Sequence, residues 1–280
     1  MAGAPWRGPV GIIGLGLMGG SLARELASRG VLVRGCDADP ATVEEARASN
    51  VLEAFLCGGE EGFRDVDLLV VAVPVDRAAA SIERVLPHLD PDCVITDVGS
   101  TKRSIVTWAE QNGIAERFVG SHPLTGGHRS GWGASHRDLY AWQRVFLCPT
   151  RQSSAAALER VRELWELVGA LPEVMDADTH DRRMAWTSHL PQVAATSLAL
   201  ALAGSGHFRR ELGPGGRDMT RLAGSSAEMW SAICLDNAEP LDAALAAFEA
   251  AIGRMRRAVA ARDERALRTL FEAGRTWTQE

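Results

Sequence analysis

Residues 10–19 read Val-Gly-Ile-Ile-Gly-Leu-Gly-Leu-Met-Gly, and the helix-forming sequence Ser-Leu-Ala-Arg-Glu-Leu follows at residues 21–26. The first four residues form a short apolar run that predicts a buried strand, and glycines at the spacing Gly-x-Gly-x-x-Gly follow it directly. Gly14 permits a tight turn, Gly16 lets the backbone approach a pyrophosphate, and Gly19 lets the helix pack closely against the strand. The stretch therefore predicts a strand–turn–helix unit whose N–H groups, including those of Leu17 and Met18, bind phosphate.

A carboxylate follows where a dinucleotide-binding unit needs one. Asp37 ends the second predicted strand about 20 residues after Gly19, where it accepts hydrogen bonds from the ribose hydroxyls of an adenosine. The alternative is a helix cap or a turn, because Asp-Ala-Asp-Pro at residues 37–40 also has turn composition. A carboxylate repels a 2′-phosphate and Ala38 supplies no cation, so NAD is preferred over NADP.

Apolar, β-rich runs alternate with segments of helical period as far as about residue 175. The predicted strands are residues 10–13, 31–36, 68–73, 93–96, 118–120, 145–148 and 171–175, and the predicted helices are residues 21–28, 41–49, 77–86, 104–111 and 155–168. The later predicted helices are residues 182–186, 193–203, 226–235, 241–259 and 265–275. The pattern predicts an α/β, Rossmann-type, doubly wound NAD-binding domain at residues 1–176, followed by an all-α domain at residues 177–280.

Composition limits the classes of function. The chain has 280 residues, a formal net charge of −6 and no block of Lys or Arg, so nothing indicates nucleic-acid binding, which needs clustered cations. The five cysteines lie far apart without a Cys-x-x-Cys pair, and we interpret them as reduced structural thiols, with no metal site. Neither a signal peptide nor an apolar segment of roughly 20 residues is evident. We expect a cytoplasmic protein that acts on a small molecule and does not associate with a membrane.

Two further stretches lie where a parallel sheet has its carboxyl ends. Val73 ends a predicted buried strand and Pro74 follows it, so their backbone is expected to line the nicotinamide side of the crevice. Residues 96–102, Thr-Asp-Val-Gly-Ser-Thr-Lys, end another strand, where Ser100 and Lys102 supply a hydroxyl and a cation. A plain helix N-cap at Ser100 or its neighbour is the alternative, and both interpretations are compatible.

Several motifs occur in one order along the chain. They are Asp-Val-Gly-Ser-Thr-Lys at 97–102, Gly-Ser-His-Pro-Leu-Thr-Gly at 120–126, Ser-His-Leu-Pro at 188–191, Arg-Asp-Met-Thr-Arg-Leu-Ala at 217–223 and Met-Trp at 229–230. Together with the glycine-rich turn, they resemble the prephenate and arogenate dehydrogenases of tyrosine biosynthesis over roughly residues 9–240. The resemblance implies an NAD-dependent dehydrogenase with a helical second domain.

The resemblance also implies a reaction and roles for two residues. In that family prephenate loses hydride from its carbinol carbon to nicotinamide and loses carbon dioxide, giving 4-hydroxyphenylpyruvate; arogenate gives tyrosine by the same steps. His122 matches the residue that accepts the hydroxyl proton, a task for a neutral imidazole with a pKa near its reference value of roughly 6.5. Ser100 resembles the serine that bridges this histidine, the substrate hydroxyl and the nicotinamide. Without the motif, a histidine before a proline is more often a packed loop residue.

Other matching residues belong to a substrate site in the second half. Arg221 matches an arginine that binds a substrate carboxylate, a task suited to a planar, permanently charged guanidinium. The alternative is an ion pair with Asp218, and we expect both, with Asp218 orienting Arg221. His189 and, with less support, His180 line or support the pocket, although either residue is also compatible with a core histidine. Trp230 is expected to pack in the pocket wall.

The chain departs from many relatives at two places. His128 and Arg129 stand where many bacterial relatives carry an acidic residue, and Gln192 stands where some carry a second histidine. Those positions contact the substrate side chain in relatives, so the choice between a keto acid and an amino acid stays open. If they point inward, His128 and Arg129 favour an anionic side chain such as the pyruvyl group of prephenate.

Assembly and rival functions complete the expectations. In the family the helical domain pairs with its twin, so we expect a homodimer; the apolar face at residues 241–252 serves either that contact or an intramolecular core. The β-hydroxyacid dehydrogenases share the glycine-rich turn but rely on a catalytic lysine in the second domain, and residues 177–280 contain no lysine. A non-catalytic, NAD-sensing scaffold would have no reason to keep His122, Ser100 and Arg221 together.

Overall fold

The first half of the protein is built around one sheet in the computed structural model, which describes residues 6, 8–127 and 131–279. Its strands are β1 Val10–Ile13, β2 Val33–Asp37, β3 Glu53–Leu56, β4 Leu68–Val71, β5 Val94–Asp97, β6 Phe118–Pro123, β7 Arg144–Pro149 and β8 Leu171–Val174. They lie in the order β3-β2-β1-β4-β5-β6-β7-β8, and neighbours are parallel except β6 and β7. The mostly parallel sheet predicted from the sequence is confirmed.

Helices cover both faces of this sheet. They are α1 Leu17–Ser28, α2 Pro40–Ala48, α3 Val75–Val85, α4 Arg103–Gln111 and α5 Ala155–Leu167. Consecutive residues of β4, such as Val70 and Val71, belong to different apolar clusters, because successive side chains of a strand point to opposite faces. One cluster includes Leu22 of α1 and Trp165 of α5, and the other includes Ile82 of α3. This arrangement is the doubly wound fold.

The described residues of the second half contain helices and no strand. The helices are α6 Ala177–Met184, α7 Leu190–Gly204, α8 Pro214–Met219, α9 Ala227–Asp236, α10 Ala238–Ala260 and α11 Glu264–Trp277. A π-helical segment, Ala185–His189, joins α6 to α7. The predicted all-α second half is confirmed. None of the helices in the described ranges combines the length and apolar character that crossing a bilayer requires.

Two parts of the chain differ from the predicted elements. β3 is not predicted from the sequence: it is a short strand at the sheet edge, and Glu53 and Leu56 at its ends are exposed. Residues 182–186 and 193–203 are predicted as separate helices, but α6, the π-helical segment and α7 form one continuous path. The wider π turn ends two residues before Pro191. Proline has no backbone N–H, so a regular α-helix would lose one backbone hydrogen bond at this position.

Strand β6 extends three residues beyond its predicted end and thereby positions the central histidine. His122 pairs with Phe146 of β7 inside the sheet, so it does not lie in the following loop. The preceding residue, Ser121, is buried and anchored: its Oγ lies 2.7 Å from Oγ1 of Thr96 and accepts a hydrogen bond of 3.0 Å from Nε1 of Trp165. His122 therefore projects from a rigid strand at the edge where β1, β4, β5 and β6 end.

The cysteines are all thiols in the structure. Cys36 and Cys57 are far apart in sequence, yet the pairing of β2 with β3 brings their Sγ atoms to 2.9 Å. Burial raises the pKa of Cys93 and of Cys148 to about 12, so both thiols are protonated at neutral pH.

Candidate active site

The glycine-rich turn has room for a ligand at one of its three glycines. Gly14 has a φ of 92°, and a Cβ there would lie 2.4 Å from the carbonyl oxygen of Ala72. A Cβ at Gly19 would lie 1.9 Å from the carbonyl oxygen of Gly14, so the fold itself requires both glycines. At Gly16 a Cβ would meet only the nitrogen of Gly131, at 3.9 Å. The fold does not require glycine at position 16, and the open space there suits a pyrophosphate.

The N-terminus of α1 faces this space. Gly16 is the N-cap residue and makes no side-chain cap, and Leu17 and Met18 are the first two residues of the helix. N–H groups in the first turn of a helix have no intrahelical acceptor, so they are available to phosphate oxygens. Tyr140 donates a hydrogen bond of 2.7 Å to the carbonyl oxygen of Met18 and so holds the glycine-rich turn in place.

Asp37 lies at the carboxyl end of β2, beside the same turn. Leu15 N donates to its Oδ2 over 2.7 Å, and Asp39 N donates to its Oδ1 over 2.9 Å. A carboxylate oxygen can accept more than one hydrogen bond, so the oriented carboxylate retains lone pairs for ribose hydroxyls. The space at Gly16 and the carboxylate of Asp37 together fit a dinucleotide such as NAD.

The carboxyl ends of β4 and β5 form the other side of the crevice. Ala72 N donates to Ile13 O over 2.7 Å, which holds Val73 and Pro74 beside the glycine-rich turn. Pro74 is the N-cap residue of α3. Ser100 is partly buried just beyond β5. It does not cap α4, because the N-cap residue is Lys102 and no side-chain cap is made there.

The interpretation of Lys102 as a cation of the crevice is wrong. Its side chain is fully buried and forms an ion pair with Asp97, which also accepts hydrogen bonds from the backbone of Gly99 (2.8 Å) and Ser121 (3.1 Å). Lys102 is the only lysine of the sequence. With Asp97 it ties the end of β5 to β6, and removing either partner would leave a buried charge uncompensated.

His122 is the first member of a hydrogen-bonded chain of three side chains. It is 8% exposed, and its Nδ1 lies 2.8 Å from Nε2 of the fully buried His180. Nδ1 of His180 lies 2.7 Å from Oδ1 of Asp181. The carboxylate of Asp181 accepts two further hydrogen bonds at the N-terminus of α4, from Lys102 N (2.8 Å) and Arg103 N (2.9 Å). Strand β6 and helix α6 are thus joined through His122, His180 and Asp181.

Burial sets the charge states of this group. Burial, with smaller contributions from His180, Lys102 and His189, lowers the pKa of His122 well below its usual value of 6.5. Burial also lowers the pKa of His180, against the opposing effect of Asp181, and lowers the pKa of His189 to about 4. All three imidazoles are therefore neutral at neutral pH. His122 is neutral, as expected, but its pKa is lower than the sequence-based expectation.

Asp181 stays ionised despite its burial. Burial by itself raises the pKa of this carboxyl group, but hydrogen bonds from His180 and from the backbone of Arg103 and Lys102 outweigh burial and lower it. The side chain of Asp181 is thus a carboxylate that accepts hydrogen bonds and donates none.

A second cluster of buried polar side chains joins the first through Asn237. His189 lies in the π-helical segment and is 1% exposed, and its Nδ1 is 3.0 Å from Nδ2 of Asn237. Nδ2 of Asn237 also donates to the carbonyl oxygen of Asp181 over 2.9 Å. The ring of Trp230 lies 5.9 Å from the ring of His189, edge to face. Gln192 is buried one helical turn after His189.

Arg221 lies on the outside of this cluster. Gln192 donates a hydrogen bond of 2.8 Å to Leu222 O, which fixes the short helical turn Arg221–Gly224 against α7. The side chain of Arg221 is 59% exposed, and its Nε lies 3.8 Å from Oδ1 of Asp218. The expected ion pair is present, and the guanidinium keeps donors for a ligand.

Some predicted site residues lie outside the described ranges, and some residues found at the site were not predicted from the sequence. His128 and Arg129 lie outside the described residues. The sequence analysis gives His180 only a supporting role and does not single out Asp181 or Asn237. The adjacent His-Asp pair at residues 180–181 is the sequence feature that could have indicated the hydrogen-bonded chain. Within the described ranges, no group of three or more His, Cys, Asp or Glu side chains is arranged to hold a metal ion.

Comparison with known proteins gives one consistent result. Residues 22–174 match the family model "Prephenate dehydrogenase, nucleotide-binding domain", and residues 176–273 match "Prephenate dehydrogenase, dimerization domain". The cyclohexadienyl dehydrogenase of Zymomonas mobilis is 32% identical over 263 residues, which are 91% of this chain and 89% of that protein. The prephenate dehydrogenase of Bacillus subtilis is 30% identical over 239 residues, which are 82% of this chain and 64% of that protein.

A solved structure is similar over nearly the whole chain. The prephenate dehydrogenase from Aquifex aeolicus, in complex with hydroxyphenyl propionate and NAD+, superposes with a TM-score of 0.90 at 29% identity. The match covers 98% of this chain and 98% of the Aquifex chain. The similarity therefore includes both the sheet domain and the helices that carry His189 and Arg221.

Proposed function

The chain belongs to the prephenate dehydrogenase family, and from that premise we propose that it oxidises and decarboxylates prephenate to 4-hydroxyphenylpyruvate. The observation that carries the proposal is the position of His122, a neutral imidazole held by His180 at the sheet edge that also carries the glycine-rich turn. NAD, held by Gly14, Gly16, Gly19 and Asp37, supplies the hydride acceptor when bound.

The protein itself has to orient the substrate and move one proton. His122 accepts the proton of the carbinol hydroxyl while the hydrogen on the same carbon leaves as hydride, which makes a carbonyl. The bond to the ring carboxylate then breaks, carbon dioxide leaves, and the electron pair of that bond makes the ring aromatic. His122 returns its proton to the resulting phenolate oxygen, so no net proton is consumed.

The remaining site residues bind and orient in this proposal. Ser100, just beyond β5, bridges His122, the substrate hydroxyl and the nicotinamide. Arg221, oriented by Asp218, binds a substrate carboxylate, and its half-exposed guanidinium has donors to do so. His189 and Gln192 line the pocket, and Val73 and Pro74 line the nicotinamide side of the crevice. His128 and Arg129 stay a prediction from the sequence: if they point inward, they favour the anionic pyruvyl side chain of prephenate over the amino acid side chain of arogenate.

One assay tests the function and the substrate. NADH formation is followed by its absorbance with NAD plus prephenate, and separately with NAD plus arogenate. We expect a higher kcat/KM for prephenate. If only arogenate reacts, the protein is a dehydrogenase but prephenate is not its substrate. If folded protein binds NAD and reacts with neither compound, the protein is a non-catalytic, NAD-sensing scaffold.

We also propose two domains, residues 1–176 and 177–280, and a homodimer formed by the second. The boundary is supported by the two family models, which meet between residues 174 and 176. The dimer is supported by exposed apolar side chains on α10 and α11: Ile252 is 51%, Phe271 67% and Trp277 76% exposed. The cytoplasmic location stays a prediction from the sequence.

A charge on α11 tests the dimer. Phe271→Glu should lower the mass measured by light scattering from that of a dimer to that of a monomer, because the carboxylate cannot be buried without a partner. The control is Thr269→Glu. Thr269 is exposed and lies two positions before Phe271, so its side chain points about 200° away from that of Phe271 around the helix. A dimer that survives Phe271→Glu, or a monomeric wild type, contradicts this assignment.

A further inference from the structure

We infer that Asp181 sets the tautomers of two histidines in opposite senses, leaving Nε2 of His122 as a hydrogen-bond acceptor and Nε2 of His189 as a donor. The carboxylate of Asp181 acts on His122 through His180, and its backbone carbonyl acts on His189 through Asn237. Asp181, His180 and Asn237 are thus positioning residues. The inference deepens the proposed function, on which only its kinetic part rests.

The first arm follows from the order of donors and acceptors. Asp181 is a carboxylate and accepts only, so Nδ1 of His180 must carry the proton of their 2.7 Å hydrogen bond. A neutral His180 then has a lone pair on Nε2. The 2.8 Å contact with His122 consequently needs a proton on Nδ1 of His122. A neutral imidazole carries one N–H, so Nε2 of His122 is left with a lone pair that can take the hydroxyl proton of a substrate.

The second arm follows from the amide of Asn237. The atom that faces the carbonyl oxygen of Asp181 at 2.9 Å must be the nitrogen, because an amide oxygen there would place two acceptors against each other. The same nitrogen faces Nδ1 of His189 at 3.0 Å and donates its second hydrogen to it. Nδ1 of His189 is therefore an acceptor, and its single proton is on Nε2.

Nε2 of His189 is a buried donor without an acceptor among the described residues. A buried N–H group left unpaired costs free energy, so such a group in a folded protein calls for a partner outside the chain's own side chains. The chemistry of that partner is an oxygen acceptor, either a carboxylate or a keto oxygen of the substrate. Two histidines thus act in opposite ways because their surroundings differ: Nε2 of His122 accepts a proton, and Nε2 of His189 donates a hydrogen bond.

Asp181 also limits how far a proton travels. The titratable groups that act on the pKa of His122 are His180 from α6, His189 from the π-helical segment, and Lys102, whose ammonium is paired with Asp97 at the β5–α4 junction. Asp181 is held as a carboxylate by two backbone N–H groups at the start of α4. A proton taken up by His122 is therefore shared with His180 and stabilised by Asp181 without residing on it, as in catalytic triads in which a carboxylate orients a histidine.

The tautomers can be read directly by nitrogen NMR of protein labelled with ¹⁵N-histidine, in the absence of substrate. We expect N–H on Nδ1 of His122 and on Nε2 of His189, with signals assigned by His122→Asn and His189→Asn. In Asn237→Asp the new carboxylate accepts only, so the proton of His189 should move to Nδ1. A proton on Nε2 of wild-type His122, or on Nδ1 of wild-type His189, overturns the inference whatever the enzyme does.

The kinetic test compares two substitutions of His180. His180→Leu removes the acceptor for Nδ1 of His122 and should lower kcat by about 10² to 10⁴, the range for a misplaced or wrongly protonated base. His180→Gln keeps an oxygen acceptor and should retain kcat within about tenfold of the wild type. The dissociation constant of NAD and the KM of prephenate should change little in both. The matched control is His207→Leu, because the side chain of His207 is 66% exposed.

These results separate the inference from the proposed function. A wild type that does not oxidise prephenate contradicts the function, while the NMR result still decides the tautomers. An active wild type with unchanged kcat in His180→Leu contradicts the kinetic role of the chain. If His180→Leu does not fold, the wild-type NMR result and His180→Gln decide.

Discussion

At the residue scale, the chemistry of this site depends on how far burial shifts a histidine. His122 is 8% exposed and faces the imidazoles of His180 and His189 and the ammonium of Lys102. All of these factors disfavour the imidazolium. The residue is thus neutral over a wider pH range than a solvent-exposed histidine.

This burial predicts the pH dependence of the reaction. Because the pKa of His122 is lowered well below 6.5, kcat/KM for prephenate should be level with respect to this group between about pH 6.5 and pH 8, and should fall only at lower pH as the imidazole takes up a proton. Initial rates measured across that range at low substrate concentration test the prediction. A half-loss of kcat/KM near pH 6.5 would indicate an exposed histidine as the base.

Substituting His122 separates chemistry from binding. His122→Asn keeps a polar side chain in β6 but cannot take a proton, so kcat should fall by about 10² to 10⁴. Binding of NAD, measured by fluorescence quenching, should persist, because the glycine-rich turn and Asp37 are untouched. His207→Asn, at an exposed position, is the control and should leave kcat unchanged. Equal loss of NAD affinity in His122→Asn would place the residue in the nucleotide site.

The residues that sequence could predict are those whose role is local. The spacing of Gly14, Gly16 and Gly19 and the motif around His122 can be recognised without knowledge of contacts. The partners of His122 could not be predicted in the same way, because His180 is hydrogen-bonded to it across 58 positions of the chain. Lys102 was misjudged for a different reason: its partner Asp97 is only five positions away, but the burial of the pair depends on how β5 joins α4.

At the element scale, the geometry of strand ends and helix starts determines what each glycine does. Position 19 is crowded by the backbone of Gly14, whereas position 16 is open toward solvent and ligand. The Gly-x-Gly-x-x-Gly spacing predicted both the strand–turn–helix unit and this difference, because it assigns the approach of a pyrophosphate to Gly16 and close helix packing to Gly19. The π-helical segment before Pro191 could not be predicted, since a proline within a helical pattern usually indicates a helix end.

Two alanine substitutions test this difference. Gly16→Ala should leave the melting temperature nearly unchanged and weaken NAD binding by about 10- to 100-fold, because the added methyl group occupies the space of the pyrophosphate. Gly19→Ala should instead destabilise the protein by about 1–3 kcal/mol or more, since its Cβ would lie 1.9 Å from a carbonyl oxygen. Thermal melts and NAD titrations of both variants give the comparison. Equal destabilisation by the two substitutions would contradict it.

At the scale of the whole molecule, the buried histidines connect the two halves of the chain. His122 belongs to the sheet, whereas His180 and His189 belong to the helical run that begins the second half. Sequence analysis predicted both halves and their order correctly. It could not predict that polar, titratable groups would be buried between them, because each histidine is also compatible with an exposed position until the chain is folded.

This shared burial predicts how the free energy of unfolding depends on pH. The pKa values of His122, His180 and His189 are all lowered by burial in the folded state, that of His189 to about 4, whereas in the unfolded chain they are near 6.5. Between those values the unfolded state binds more protons, so stability is fully present above about pH 6.5 and is lost as pH falls. His189 alone should contribute a loss of roughly 3 kcal/mol between about pH 6.5 and pH 4.

Urea unfolding at several pH values and fixed protein concentration measures this loss. The free energy of unfolding should rise with pH between about pH 5 and pH 6, and His189→Gln should reduce this slope by about one proton, because one group that titrates in the unfolded chain is removed. A stability independent of pH through this range would mean that the three imidazoles are hydrated in solution, and that the two halves do not close over them.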